Sequence, residues 1–167
     1  MFLKTWRCIT IVLAALALTM ESAHMLELPQ KMQYDAQMYA AVNTTLYRYF
    51  AIVGGVYQVS SIVMAAVLTF LVRKRRPSFG WTLTGACGLL LAFGIWLTVV
   101  APVNSQVSEA LRSAPESVPT VWIRLRNQWE YGHVAGFIVQ LVGLCALVLS
   151  VLVETAQRPP QARREDR

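Results

Sequence analysis

Residues 134–153 read VAGFIVQLVGLCALVLSVLV, twenty positions without a charge. As a helix, a run of that length crosses the ~30 Å hydrocarbon core of a bilayer. Just before it stands Trp129-Glu130-Tyr131-Gly132-His133. A helix drawn through both puts Glu130 and His133 on one face, because residues three apart are neighbours. It also puts Gly132 and Gly136 one turn apart, where another helix can approach closely. The same Glu-x-x-His spacing occurs at Glu21-Ser-Ala-His24, at the end of the first apolar run, and the chain has only these two histidines.

The composition agrees with a membrane protein. Apolar residues make up 56% of the 167 and charged residues only 14%, too few charges for an ordinary soluble domain. The net charge of +6 would suggest nucleic acid in a soluble protein. Here the basic residues gather at the ends of apolar runs and no aromatic residues interleave them, so they read as topology signals and no nucleic-acid partner is expected. Cys8, Cys87 and Cys145 each lie within an apolar run, which argues against a disulfide framework.

The expected fold is all-α: a four-helix transmembrane bundle, up-down, over residues 1–156, with helices at about 5–28, 36–73, 80–101 and 120–154. Cys8–Met20 alone is short enough for a signal-peptide core, but no small-x-small site follows, so a retained helix is expected, stopped by Pro29. The second helix should begin near Asp35. Its Ala51 and Gly55 form a packing surface, and Gln58 should hydrogen-bond a neighbouring helix. Gly80, Gly85, Gly88 and Gly94 are close-packing positions on the third helix, which should end at Ala101-Pro102-Val103-Asn104. Thr120 is the expected N-cap of the fourth. Residues 157–167, with Pro159-Pro160 and many charges, read as a disordered cytoplasmic tail.

Ten of the fifteen Lys and Arg residues fall on one side: Lys4, Arg7, the Arg73–Arg76 cluster and four tail arginines. The other side holds Lys31, Arg48, Arg112, Arg124 and Arg126. The richer side should be cytoplasmic, with both termini there, in the plasma (inner) membrane.

This topology brings His24, His133 and Asn104 to the outer side. Ionisable residues in membrane helices cost on the order of 2–3 kcal/mol at the bilayer centre, and usually face the bundle interior. Glu21, His24, Glu27, Asn104, Trp129, Glu130 and His133 are therefore candidates for one outward-opening polar pocket, with Tyr47 and Tyr131 lining it. The competing reading leaves them as independent residues of the headgroup zone. A di-iron site needs a further Glu from each of the other two helices, which this chain does not offer at that depth. No cofactor is expected; a single metal on His24, His133 and Glu130 stays open as an alternative. The expected partners are the bilayer, a lipophilic small molecule and, through Gly-rich helix faces, a second copy of the chain.

Three pieces carry a resemblance: Ser22-Ala-His-Met-Leu-Glu-Leu-Pro29, Ala101-Pro-Val-Asn104, and Leu125 with Trp129-x-x-x-His133. They resemble the four-helix membrane family that includes the anthrone oxygenases, over roughly residues 8 to 155. Where that family often shows Glu-His-Pro, this chain has Glu27-Leu28-Pro29. The resemblance implies Glu27, Asn104, Trp129 and His133 as catalytic positions in a cofactor-independent monooxygenase acting on an aromatic or quinone-type substrate. A binding protein without turnover is the other function class open at this point.

Overall fold

A computed structural model describes residues 1–113 and 118–156, and the described residues are helical, with no strand among them. The elements are α1 (Phe2–Lys31), α2 (Ala36–Thr45), α3 (Arg48–Leu71), α4 (Ser78–Ile95), a π-helical segment (Trp96–Val100), α5 (Ala101–Ser113) and α6 (Val118–Ala156). Four stretches are long and apolar enough to cross a membrane: Phe2–Lys31, Tyr49–Leu71, Ser78–Val107 and Val121–Thr155. Ile52, Val56, Val63, Phe70, Leu90, Leu91, Ile138, Val142 and Leu152 all point outward. So large an outward apolar surface needs a nonpolar solvent, and the protein is an integral membrane protein with its four long helices gathered in one bundle.

Several expected boundaries move. Pro29 lies inside α1, which runs on to Lys31. A proline lacks the N–H for one helical bond and crowds the carbonyl of residue i−4, yet here the chain resumes at once: Met32 N–H bonds the Leu28 carbonyl at 3.0 Å. The second helix is two helices. Thr44 and Thr45 bond back to the carbonyls of Ala40 and Ala41 at 2.7 and 2.5 Å, a pattern that bends helices, and α2 ends there. Its start is as expected, since Asp35 accepts from the Met38 N–H at 2.8 Å.

The third membrane stretch does not stop at Ala101. Ahead of Pro102 it widens to a π-helix, where the Ala101 N–H bonds the Trp96 carbonyl five residues back. The chain then continues as α5. Gln128 of α6 donates to the Val99 carbonyl at 3.1 Å, which fastens this wide turn to its neighbour. Thr120 already lies within α6 rather than capping it. The tail 157–167 falls outside the described residues.

The bundle closes unequally. The α4–α6 seam is tight: a Cβ on Gly88 would stand 2.9 Å from Gly143 Cα, and one on Gly85 would stand 2.6 Å from Leu147 Cγ. Ala14, Ala65, Leu89 and Leu147 form the core beside it. Gly55, Gly80 and Gly94, by contrast, have open space where a Cβ would go, so they are not close-packing positions, and the packing surface expected at Ala51 and Gly55 is not one. Gln58 crosses between helices as expected and donates to the Leu89 carbonyl at 2.9 Å.

Candidate functional site

At one end of the bundle α1, the α2–α3 corner, α5 and α6 enclose an aromatic and ionisable cluster. The rings of His24 and His133 lie 4.2 Å apart between centroids. Trp129 stands edge-on to both, at 4.8 and 4.2 Å. Tyr47, turned inward by the break between α2 and α3, packs edge-on to His24 at 4.7 Å. His133 Nδ1 lies 2.7 Å from Glu21 Oε2, so a carboxylate orients this imidazole, as in metal-free acid–base sites. Trp129 Nε1 donates to Asn104 Oδ1 at 2.9 Å.

Behind the rings lies a buried cation. Lys31 and Glu130 are each only 1% exposed. Lys31 Nζ stands 3.3 Å from Glu130 Oε1, 3.5 Å from Glu27 Oε2 and 3.5 Å from His24 Nδ1. The ammonium also sits over the faces of Tyr47 and Trp129, 4.6 and 4.5 Å from their centroids, a favourable arrangement for a desolvated cation. Tyr39 O–H donates to Glu130 Oε1 at 3.0 Å, and Tyr47 O–H donates to Glu27 Oε2. Burial first, and then these carboxylates, hold both phenols above the usual tyrosine range, so both remain proton donors.

One cavity of about 410 Å³ runs along this cluster. Glu21, His24, Tyr47, Asn104, Trp129 and His133 line it, and Ala17, Gly54, Gly55, Ala92 and Gln140 continue its wall toward the middle of the bundle. Six of the nine residues expected at the site therefore share one cavity. Glu27 and Glu130 are not on its wall; they hold Lys31 behind it. Tyr131 is not part of the cluster and is 59% exposed. It is two residues from both Trp129 and His133, which places it on the opposite face of α6.

Sequence reasoning missed three contributors. Lys31 follows Glu27 by four and His24 by seven, one continuous helix face, but the stop assigned to Pro29 removed it from that face. Tyr39 lies in the first turns of the expected second helix, where no apolar run marks a buried position. Gln140 is the amide inside the run 134–153. Among the described residues no group of three His, Cys, Asp or Glu side chains is disposed to hold a metal ion; the place between His24, Glu27 and Glu130 belongs to the Lys31 ammonium. The three cysteines are free and face outward from the bundle.

The other end holds a second set of charges. Glu154 near the end of α6 accepts from Arg7 of α1 and, at 2.8 Å, from Arg75 of the α3–α4 turn. Arg7 also donates to Ser78 Oγ at 2.9 Å, and Ser78 Oγ donates to the Ser150 carbonyl at 3.0 Å.

No protein-family model matches the chain, and no curated protein or solved structure matches it.

Proposed function

We propose that the protein is a small multi-pass protein of the plasma (inner) membrane that binds a lipophilic small molecule or lipid in the cavity beside His24 and His133. The observation that carries this reading is a cavity with a polar, ionisable head at Glu21, His24 and His133 and a mostly apolar wall beyond it, the usual build of a site for an amphiphile. The Lys and Arg asymmetry puts the Arg73–Arg76 turn and both termini in the cytoplasm and opens the cavity toward the outer leaflet. A reporter fused after Arg76 should read the cytoplasm; a signal from the opposite side would reverse the orientation. For binding, 1-naphthol should quench the tryptophan fluorescence of the purified protein saturably, and His133→Ala should weaken that binding about tenfold, the worth of one charge-assisted hydrogen bond. Equal, non-saturable partitioning into both proteins would defeat the reading.

A second reading is favoured by the 2.7 Å contact between Glu21 and His133 and by the resemblance to the anthrone oxygenase family. In it His133, oriented by Glu21, takes a proton from an acidic methylene of an aromatic substrate. The carbanion adds dioxygen, and loss of one water leaves the carbonyl, with no cofactor consumed. Asn104 and Trp129 hold the developing oxyanion and the ring, and Glu27 acts through Tyr47 and Lys31. Oxygen uptake with anthrone that His133→Ala abolishes would select this reading over simple binding.

A further inference from the structure

Gln140 stands seven residues, two turns, beyond His133 on the same face of α6, in the middle of the uncharged run 134–153. It is 1% exposed and on the wall of the cavity, and its Nε2 has no hydrogen-bond partner among the described residues. Gln58, the other amide on that wall, differs: its Nε2 is committed to the Leu89 carbonyl. Gln58 therefore serves as a tie between helices, and Gln140 does not. Bulk water is absent at this depth, and an unmade hydrogen bond there is costly. Polar side chains kept at such a position usually face the bundle interior and mark a path or a site.

The surroundings of Gln140 restrict what it would meet. The wall beyond the histidines includes the small residues Ala17, Gly54, Gly55 and Ala92, and a Cβ on Gly55 would touch nothing within 4 Å, so α3 leaves open space on that wall. The α6 residues on the wall run from Val121 to Gln140, roughly 28 Å at 1.5 Å per residue. The cavity is thus long for its volume of about 410 Å³ and suits a slim molecule. Glu21 lies one turn nearer the histidines, with Oε2 3.4 Å from where a Gly136 Cβ would stand. A carboxylate or phosphate head pushed past Glu21 would meet like charge.

We propose that the cavity takes a slim amphiphile with a neutral hydrogen-bond acceptor, a ketone, aldehyde or ester carbonyl, at its leading end, and that the Gln140 amide N–H receives it. This rests on the reading that the cavity binds a lipophile, and it adds which end enters and which residue selects it.

The test compares tridecan-2-one with tridecane on the purified full chain in micelles. Binding is followed by quenching of tryptophan fluorescence, since Trp96, Trp122 and Trp129 all line the cavity, with uptake by empty micelles subtracted. The native protein should bind the ketone about tenfold more tightly than the alkane, as one buried hydrogen bond allows. Gln140→Leu should bind both equally and hold the alkane at least as well as the native chain, which also reports that the variant is folded. Gln140→Met gives the same readout if the leucine variant does not fold. Equal binding of ketone and alkane to the native protein, or a ketone preference that survives in either variant, would overturn the assignment to Gln140. Binding of neither probe would instead overturn the lipophile reading beneath it.

Discussion

The two ends of the bundle both hold charges, but they hold them differently. At one end Glu154 joins Arg7 and Arg75, and Arg75 keeps about half its side-chain surface open. At the other, Lys31 and Glu130 are sealed away, and Glu130 Oε2 lacks a partner among the described residues. Arg7 and Glu154 are largely covered too, but Arg75 stays half open, so this cluster keeps part of its hydration. A sealed pair loses its hydration and recovers it only through close geometry. The difference teaches that the arginine end fastens the bundle, while the histidine end gives up stability to hold an aromatic and imidazole wall in one shape.

The sharpest way to break that contrast is to remove one charge at each end. Lys31→Met should cost about 3–5 kcal/mol, because Glu130 and Glu27 would face each other without their cation. The double variant Lys31→Met with Glu130→Leu should recover most of the loss, since it removes the orphaned charge as well. Glu154→Gln should cost less, about 1–3 kcal/mol, because Arg7 loses its carboxylate but keeps Ser78 and Arg75 can rehydrate. Unfolding of detergent-solubilised protein would measure all three. Equal losses at the two ends would mean that the histidine end is no more sealed than the rim.

The arginine end was legible in the sequence, since its charges sit where apolar runs stop and need only a charge count. Half of the histidine end was legible too. The two Glu-x-x-His pairs, Asn104 and Trp129 converge as helical spacing and topology require. Lys31 was hidden by a sound local rule with the wrong outcome: proline opposes a helix, yet one lost bond in the last turn did not stop this one. Tyr131 departs from the expected lining for a different reason: two residues from Trp129 and from His133, it takes the other face of α6 by the period of the helix. The break that swings Tyr47 inward depends on Thr44 and Thr45 bonding back to their own helix, a choice that hydropathy does not record.

Glycine placement sharpens the contrast further. Spacing alone marks Gly132 and Gly136 as the crossing point beside the site, and on that basis Gly136→Leu should hurt more than Gly143→Leu. The structure reverses the order. A Cβ at Gly143 meets the backbone of α4, at Gly85 O 3.2 Å and Leu89 N 3.4 Å, and backbone cannot step aside. A Cβ at Gly136 meets only the Glu21 carboxylate, at 3.4 Å and beyond, on a side chain that can turn. Gly143→Leu should therefore cost about 1–3 kcal/mol from overpacking, and Gly136→Leu less. A larger loss at Gly136, measured by thermal unfolding, would move the tight seam from α4–α6 to α1–α6.

The smallest expected change in stability is at Gly55, and there the sign itself is informative. At Gly143 a side chain has nowhere to go, whereas at Gly55 it has the cavity: nothing lies within 4 Å of a Cβ there. Replacing a helical glycine by leucine gains about 0.5–1 kcal/mol of helix propensity, and no clash offsets it. Gly55→Leu should leave the unfolding temperature unchanged or raise it slightly. Its four carbons would take up space on the cavity wall that Gly55 helps to form, so saturable binding of a slim probe such as tridecane should fall about tenfold or more. Stability and binding then move in opposite directions, which no substitution in a packed core would produce, since filling a closed core costs stability. A loss of stability like that at Gly143 would show that α3 closes on this space in the bilayer. Unchanged binding would show that a ligand does not reach as deep as Gln140.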